Sequence, residues 1–129
     1  HLPSDRMMEK MLMLPSINPS LLVGGWKALL LEKKVVVSTS KPFLLTPFCE
    51  LLCTFLLPIE YLHTYLPYLP YNLKTILESP SPFLCGMDCS MDFIGDYLVD
   101  FSAANEDVII LDLDHGIIYN EQEIEFYVF

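Results

Sequence analysis

Two short runs, Val35-Val36-Val37-Ser38 and Val108-Ile109-Ile110-Leu111, are apolar at nearly every position rather than at every second one. Successive side chains of a strand point to opposite faces of its sheet. A strand without polar alternation must therefore be covered on both faces. Phe83-Leu84-Cys85 repeats the pattern after a turn bracketed by Pro80 and Pro82. Such strands need helices above and below. This predicts an α/β fold, a three-layer sandwich with a central, largely parallel sheet flanked by helices. The three runs are expected to be adjacent central strands, nearly inaccessible to solvent.

Helical signals fall between the strands. Ser4 caps a short lead-in helix carrying Met7, Met8, Met11 and Leu12, which Pro15 ends. Asn18 before Pro19 is a start signal, a capping side chain followed by proline in the first turn. That helix is expected to reach Leu31, with Leu22, Trp26, Leu29 and Leu30 inward. Gly24-Gly25 marks a close approach within it. Thr46-Pro47 repeats the start signal ahead of the apolar run Phe48 to Leu57, which Pro58 stops. Glu60 to Leu66 has strand character, and Asn72 caps a short helix through Glu78. Asp88 to Asn105 is mixed and follows no clear period. His115-Gly116 turns the last buried strand into an antiparallel return, Ile117 to Tyr119. The expected organisation is a lead-in helix over 1–16, one lobe over 17–119, and a segment 120–129 that reads as truncated.

The 129 residues suit one domain with one sizeable core. Although 53% of them are hydrophobic, the greasiest stretch, Phe43 to Ile59, is broken by Thr46, Pro47, Glu50 and Pro58. It falls short of the roughly 18–20 apolar residues a membrane span needs. Met7–Met13 carries Glu9 and Lys10, wrong for the apolar core of a secretory signal. A cytoplasmic protein with free thiols is expected. Cys49 and Cys53 sit four apart on an apolar helical segment and Cys85 lies in a strand. Cys49, Cys53 and Cys85 thus read as core hydrophobes, with Cys89 the more accessible thiol, and the paired spacing is not read as a zinc site. No metal and no cofactor are expected.

Charge is unevenly placed. The net charge is −10, all 7 Lys and Arg residues lie at or before Lys74, and twelve of the 17 carboxylates follow Thr75. That acidic half repels phosphate backbones and anionic lipid, so nucleic acid and direct membrane insertion are poor partners. It suits a partner that presents Lys or Arg.

The order of motifs is more specific than any one of them. A helix runs into Leu31-Glu32-Lys33-Lys34-Val35-Val36-Val37-Ser38, and a second is led by Leu45-Thr46 and carries Glu50-Leu51-Leu52. Leu57-Pro58 follows, then Pro67-Tyr68-Leu69-Pro70 and Ser79-Pro80-Ser81-Pro82-Phe83-Leu84-Cys85-Gly86. Val108-Ile109-Ile110-Leu111-Asp112-Leu113-Asp114 closes the series. In this order and spacing, from about Ile17 to Tyr119, the chain resembles the central part of a DENN domain. Tyr61 stands where that family usually carries tryptophan. The resemblance implies a Rab-family small GTPase as partner, with upstream longin-like and downstream helical lobes in the same full-length protein. It implies a contribution to GDP/GTP exchange made by gripping the GTPase between lobes, with no catalytic side-chain chemistry. It also implies a cytoplasmic location with peripheral recruitment to vesicle or endosomal membranes. The alternative is a non-exchanging scaffold lobe that packs on sibling domains. The candidate partner-binding residues are Tyr65, Pro67 and Tyr68 at the proline corner, and Asp88, Asp92, Asp96, Asp112 and Asp114 in the acidic half.

The same residues admit rival chemistries. An apolar strand ending in Asp112-Leu113-Asp114 matches the first motif of haloacid-dehalogenase-like phosphatases, where one aspartate attacks phosphorus beside a magnesium ion. That chemistry needs a later lysine, and none follows Lys74. The expectation is that both aspartates hold the turn by side-chain-to-backbone hydrogen bonds. Pro67-Tyr68-Leu69-Pro70 formally fits a PxxP ligand, but its apolar and aromatic neighbours favour a structural corner. Asp88, Asp92, Asp96 and Asp100 recur every four residues and would form one acidic stripe on a helix. Ser38, Thr39 and Ser40 lack a nucleophile-elbow context, and Gly24-Gly25 lacks the pattern of a phosphate-cradling loop.

Overall fold

The computed structural model describes residues 18–125, the side chains of Leu73 and Asp92 excepted. The expected lead-in helix over 1–16 lies outside the described residues. Five strands form one sheet: β1 (Lys34–Thr39), β2 (Thr64–Leu66), β3 (Phe83–Asp88), β4 (Val108–Asp112) and β5 (Ile117–Tyr119). Their order across the sheet is β2-β3-β1-β4-β5, with every pairing parallel except β4 with β5. Val36 stands opposite Cys85 on one side and Ile110 on the other. The three greasy runs are thus adjacent and central. Val35, Val36, Val37, Leu84, Cys85 and Ile109 are all 0% exposed.

Alternation along each central strand feeds two cores. Val35, Val37, Leu84, Ile109 and Leu111 pack under helices α1 (Pro19–Leu30) and α2 (Leu45–Phe55). Val36, Phe83, Cys85, Met87, Val108 and Ile110 pack on the other face, under a 3-10 helix (Tyr71–Glu78) and helix α3 (Asp92–Ala104). The three-layer arrangement follows from this division.

Local chemistry sets the ends. Asn18 caps α1, its side-chain oxygen accepting the Ser20 N–H at 3.0 Å, with Pro19 in the first turn. The close approach expected at Gly24-Gly25 is present. A Cβ on Gly25 would stand 2.8 Å from a Leu52 methyl and 2.9 Å from one of Leu111. Trp26 and Leu30 are only half-buried, and Leu21 takes the inward position instead.

Three starts differ from expectation, the first being the 3-10 helix, which begins at Tyr71 behind Pro70 with no side-chain cap, so that Asn72 lies inside it. Helix α2 begins at Leu45, led in by a 3-10 turn over Pro42–Leu44, and no side chain caps it. Thr46 and Pro47 lie inside its first turn, where backbone N–H groups have no intrahelical partner and proline loses nothing. The strand expected over Glu60 to Leu66 shrinks to Thr64–Leu66 because Tyr61 turns in to pack on the α1/α2 core. Among the described residues no helix is long and apolar enough to cross a membrane.

Candidate functional site

Three parallel central strands end on the same side of the sheet, and their ends meet. The chain leaves β1 toward β2 through α2 on one face, but goes from β3 to β4 through α3 on the other. The point where such connections diverge leaves a crevice beyond the strand ends. Here it is a cleft of about 490 Å³ between α3 and the β4–β5 hairpin. Ser38 and Cys89 line its back, Leu98, Val99, Ile110 and Tyr119 its apolar walls, and Asp96, Asp112, Asp114 and His115 its mouth.

The carboxylates at the mouth carry bonds that build the turn. Asp112 Oδ1 accepts the backbone N–H groups of Asp114 and His115 at 3.0 and 3.2 Å, and its Oδ2 lies 2.9 Å from His115 Nδ1. Asp114 reaches back to the end of β1, accepting from the Thr39 hydroxyl at 2.7 Å and the Ser40 N–H at 2.8 Å. This is the structural role expected of the pair, extended by a tie between β4 and β1. Burial pulls the Asp114 carboxyl upward, but the Thr39 and Ser40 hydrogen bonds and the His115 charge outweigh it and hold it below its usual value. The hydrogen bond to Asp112 raises His115. Burial, then the charges of Asp112, Asp114 and Asp88, pushes the Cys89 thiol up to about 12, which leaves it protonated at neutral pH. Among the described residues no group of three His, Cys, Asp or Glu side chains stands ready to hold a metal ion.

The remaining predicted residues are dispersed. Asp96 joins Asp112 and Asp114 at the cleft. Asp88 belongs to β3 and accepts the Ser90 N–H at 2.9 Å, so it stands off the helical acidic stripe expected to include it. Asp92 opens α3, on which Asp96 and Asp100 are exposed. Tyr65, Pro67 and Tyr68 lie at the β2 edge and do not line the cleft. Tyr65 is half-buried and donates to Glu50 at 2.9 Å. The proline corner is structural: Leu69 is 2% exposed, and its N–H donates to the Gly86 carbonyl at 2.7 Å. Of these three residues only Tyr68 is exposed. Gly95, His115 and Tyr119 also line the cleft, beyond the residues expected there. His115 beside a D-x-D turn was a readable signal, whereas nothing in the sequence marked Gly95.

Residues 1–116 match the profile of the DENN (AEX-3) domain. The chain belongs to the DENN domain family. It is 25% identical over 103 residues to the DENN domain and WD repeat-containing protein SCD1 of Arabidopsis thaliana, covering 80% of this chain and 8% of that protein. It is 35% identical over 72 residues to DENN domain-containing protein 2A of Homo sapiens, covering 56% of this chain and 7% of the other. Myotubularin-related protein 5 of Caenorhabditis elegans is 30% identical over 100 residues, 78% of this chain and 5% of its own length. This DENN chain therefore spans a small fraction of the length of the curated relatives it matches. The sheet, its two covered faces and the Asp112–Asp114 turn are the three-dimensional form of the motif series that resembled the family.

Proposed function

We propose that this chain is a protein-interaction lobe of a DENN-type regulator that contacts a Rab-family small GTPase and contributes to GDP/GTP exchange within a longer parent protein. The match to the DENN domain over residues 1–116 carries the reading. The chemistry of the cleft supports it: the Asp112 and Asp114 carboxylates are tied into the turn and Cys89 is a protonated thiol, so the strand ends offer surface rather than a nucleophile. In this reading the parent protein works in the cytoplasm, recruited peripherally to vesicle or endosomal membranes, with longin-like and helical lobes flanking this one.

One lobe alone offers part of an interface, and specific complexes typically bury roughly 1,200–2,000 Å². The expected affinity of the isolated chain for a Rab protein is a Kd above about 10 μM, against roughly nanomolar values for tight complexes. The test is release of a fluorescent GDP analogue across a Rab panel, with this chain and a version extended into its flanking segments side by side. Exchange by the extended version and little by this chain is the expected result. Silence from the extended version on every Rab would overturn the exchange reading. It would then favour the scaffold, which one observation independently supports. Leu57, Ile59 and Leu62 are 53%, 58% and 82% exposed in one loop, an apolar patch suited to a sibling lobe.

A further inference from the structure

Gly95 is the glycine whose missing side chain the fold itself does not require. Gly24 and Gly25 lie under neighbouring side chains, Gly86 lies under the Pro67 carbonyl, and Gly116 has φ +69. A Cβ built on Gly95 meets nothing within 4 Å among the described residues. Glycine inside a helix weakens it relative to alanine, and its use is to let a backbone or ligand come close. Gly95 lies in the first half of α3 and lines the groove between that helix and the β4–β5 hairpin. The groove beside α3 is therefore open at Gly95.

The lining narrows what the groove can receive. Of the apolar walls, Val99 is 40% exposed and Tyr119 half-buried, while Leu98 and Ile110 lie behind them at 2% and 1%. Asp96, Asp112 and Asp114 form a rim that His115, bonded to Asp112, offsets in part when protonated; among the described residues no Lys or Arg lines the groove, and none occurs in the sequence after Lys74. Asp112 and Asp114 are held by the turn, whereas Asp96 is exposed and makes no hydrogen bond or ion pair with any described residue. A long aliphatic stem ending in a cation is complementary to such a surface. Of the two basic side chains, the planar guanidinium also stacks on an aromatic ring and pairs bidentately with a carboxylate.

We propose that this groove receives an arginine side chain, flanked by an apolar residue, from a protein partner: the stem lies on Val99 and Tyr119, the backbone passes over Gly95, and the guanidinium reaches Asp96. The inference rests on the GTPase reading for the identity of the partner. The chemistry of the segment rests on the groove.

The test uses the whole chain with the capped tripeptide acetyl-Leu-Arg-Leu-amide as probe, read by backbone amide shifts in NMR. A second peptide with norleucine in place of arginine is the neutral control. Saturable shifts centred on Gly95, Asp96, Val99 and His115 are expected with the arginine probe, and at least about fivefold weaker binding with the control. Asp96→Asn should weaken the arginine probe about two- to fivefold, the scale of an exposed ion pair. Gly95→Leu, which the open space admits, should abolish the saturable shifts while the core methyl signals of Val37 and Ile109, on the opposite face of the sheet, stay in place. Unsaturable shifts scattered over the acidic surface, equal response to norleucine, or full binding by Gly95→Leu would each overturn the proposal. An unfolded Gly95→Leu would overturn it too, since the space beside Gly95 would then not be free. No GTPase is present, so failure here is distinct from failure of the GDP-release assay.

Discussion

Asp112 and Asn120 do the same kind of work at opposite ends of the β4–β5 hairpin, and they are not equally replaceable. Asp112→Asn keeps an acceptor for the two backbone N–H groups, so Asp112→Asn with Asp114→Asn is expected to cost at most about 1–2 kcal/mol in chemical denaturation. Purified protein should hydrolyse no generic phosphoester with magnesium, before or after the change. Asn120 adopts φ 63, and its amide nitrogen serves the carbonyls of Ser102, Asn105 and Val108 at 2.8, 3.1 and 2.9 Å. Asn120→Leu both deprives those carbonyls and strains the left-handed backbone, so it should cost about 2–4 kcal/mol by the same measurement. The turn is also pH-sensitive. His115 is raised in the folded state, so its contribution is present below the ordinary histidine range and is lost as pH rises through the raised value. Asp114 is lowered, so its contribution is present above the ordinary carboxylate range and is lost as pH falls through the lowered value. Stability should therefore decline in the parent chain as pH rises from the ordinary histidine range through the raised value, and this decline should be absent in His115→Gln. An identical decline in the variant would show that the His115–Asp112 contact is not its source.

Helices α1 and α3 each carry glycine, with opposite expected responses to alanine. Gly25→Ala drives a methyl into Leu52 and Leu111 and should cost about 1–3 kcal/mol, like other overpacked cores. Gly95→Ala meets nothing and should stabilise α3 by about 0.5–1 kcal/mol. Thermal unfolding of the two variants beside the parent checks both signs at once. The thiols sort by element as well. Cys49 on α2 and Cys85 on β3 are 0% exposed and should resist alkylation until the chain unfolds. Cys53 was expected in the core but is half-buried, because it lies on the flank of α2 rather than under it. With Cys53 raised to about 11 and Cys89 to about 12, both should alkylate slowly at neutral pH despite their access.

At the scale of the molecule the uneven charge matters most. A net charge of −10 with the carboxylates concentrated after Lys74 repels itself in the folded state. Raising salt from about 10 to about 150 mM shortens the screening length from roughly 30 to roughly 8 Å. The melting temperature should rise over that interval, measured calorimetrically; a fall would mean that ion pairs such as Lys34–Asp107, at 3.1 Å, outweigh the repulsion. The same screening should weaken any basic partner. Fold and charge together therefore give opposite salt responses for stability and for binding.

Composition and order of residues determined the layers. Val35–Val37 and Val108–Leu111 have no polar side chain to offer water, and their shortness and β-branching favour strands of a sheet covered on both faces. Asn18-Pro19 and His115-Gly116 determined their helix start and turn because capping and left-handed backbone are local matters. The start of α2 was not local: core packing of Leu45 drew the helix ahead of Thr46-Pro47. Nor was α3, since Asp88 to Asn105 is mixed and follows no clear period, and its helix is set by Ile94 and Leu98 docking on a sheet face. The cleft belongs wholly to the tertiary structure. Ser38, Cys89, Asp96 and Tyr119 come from β1, the end of β3, α3 and β5, and only the crossing of β3 to β4 past β1 gathers them. Pattern along a chain reports which face each residue must bury, whereas which strand ends meet depends on the path between them.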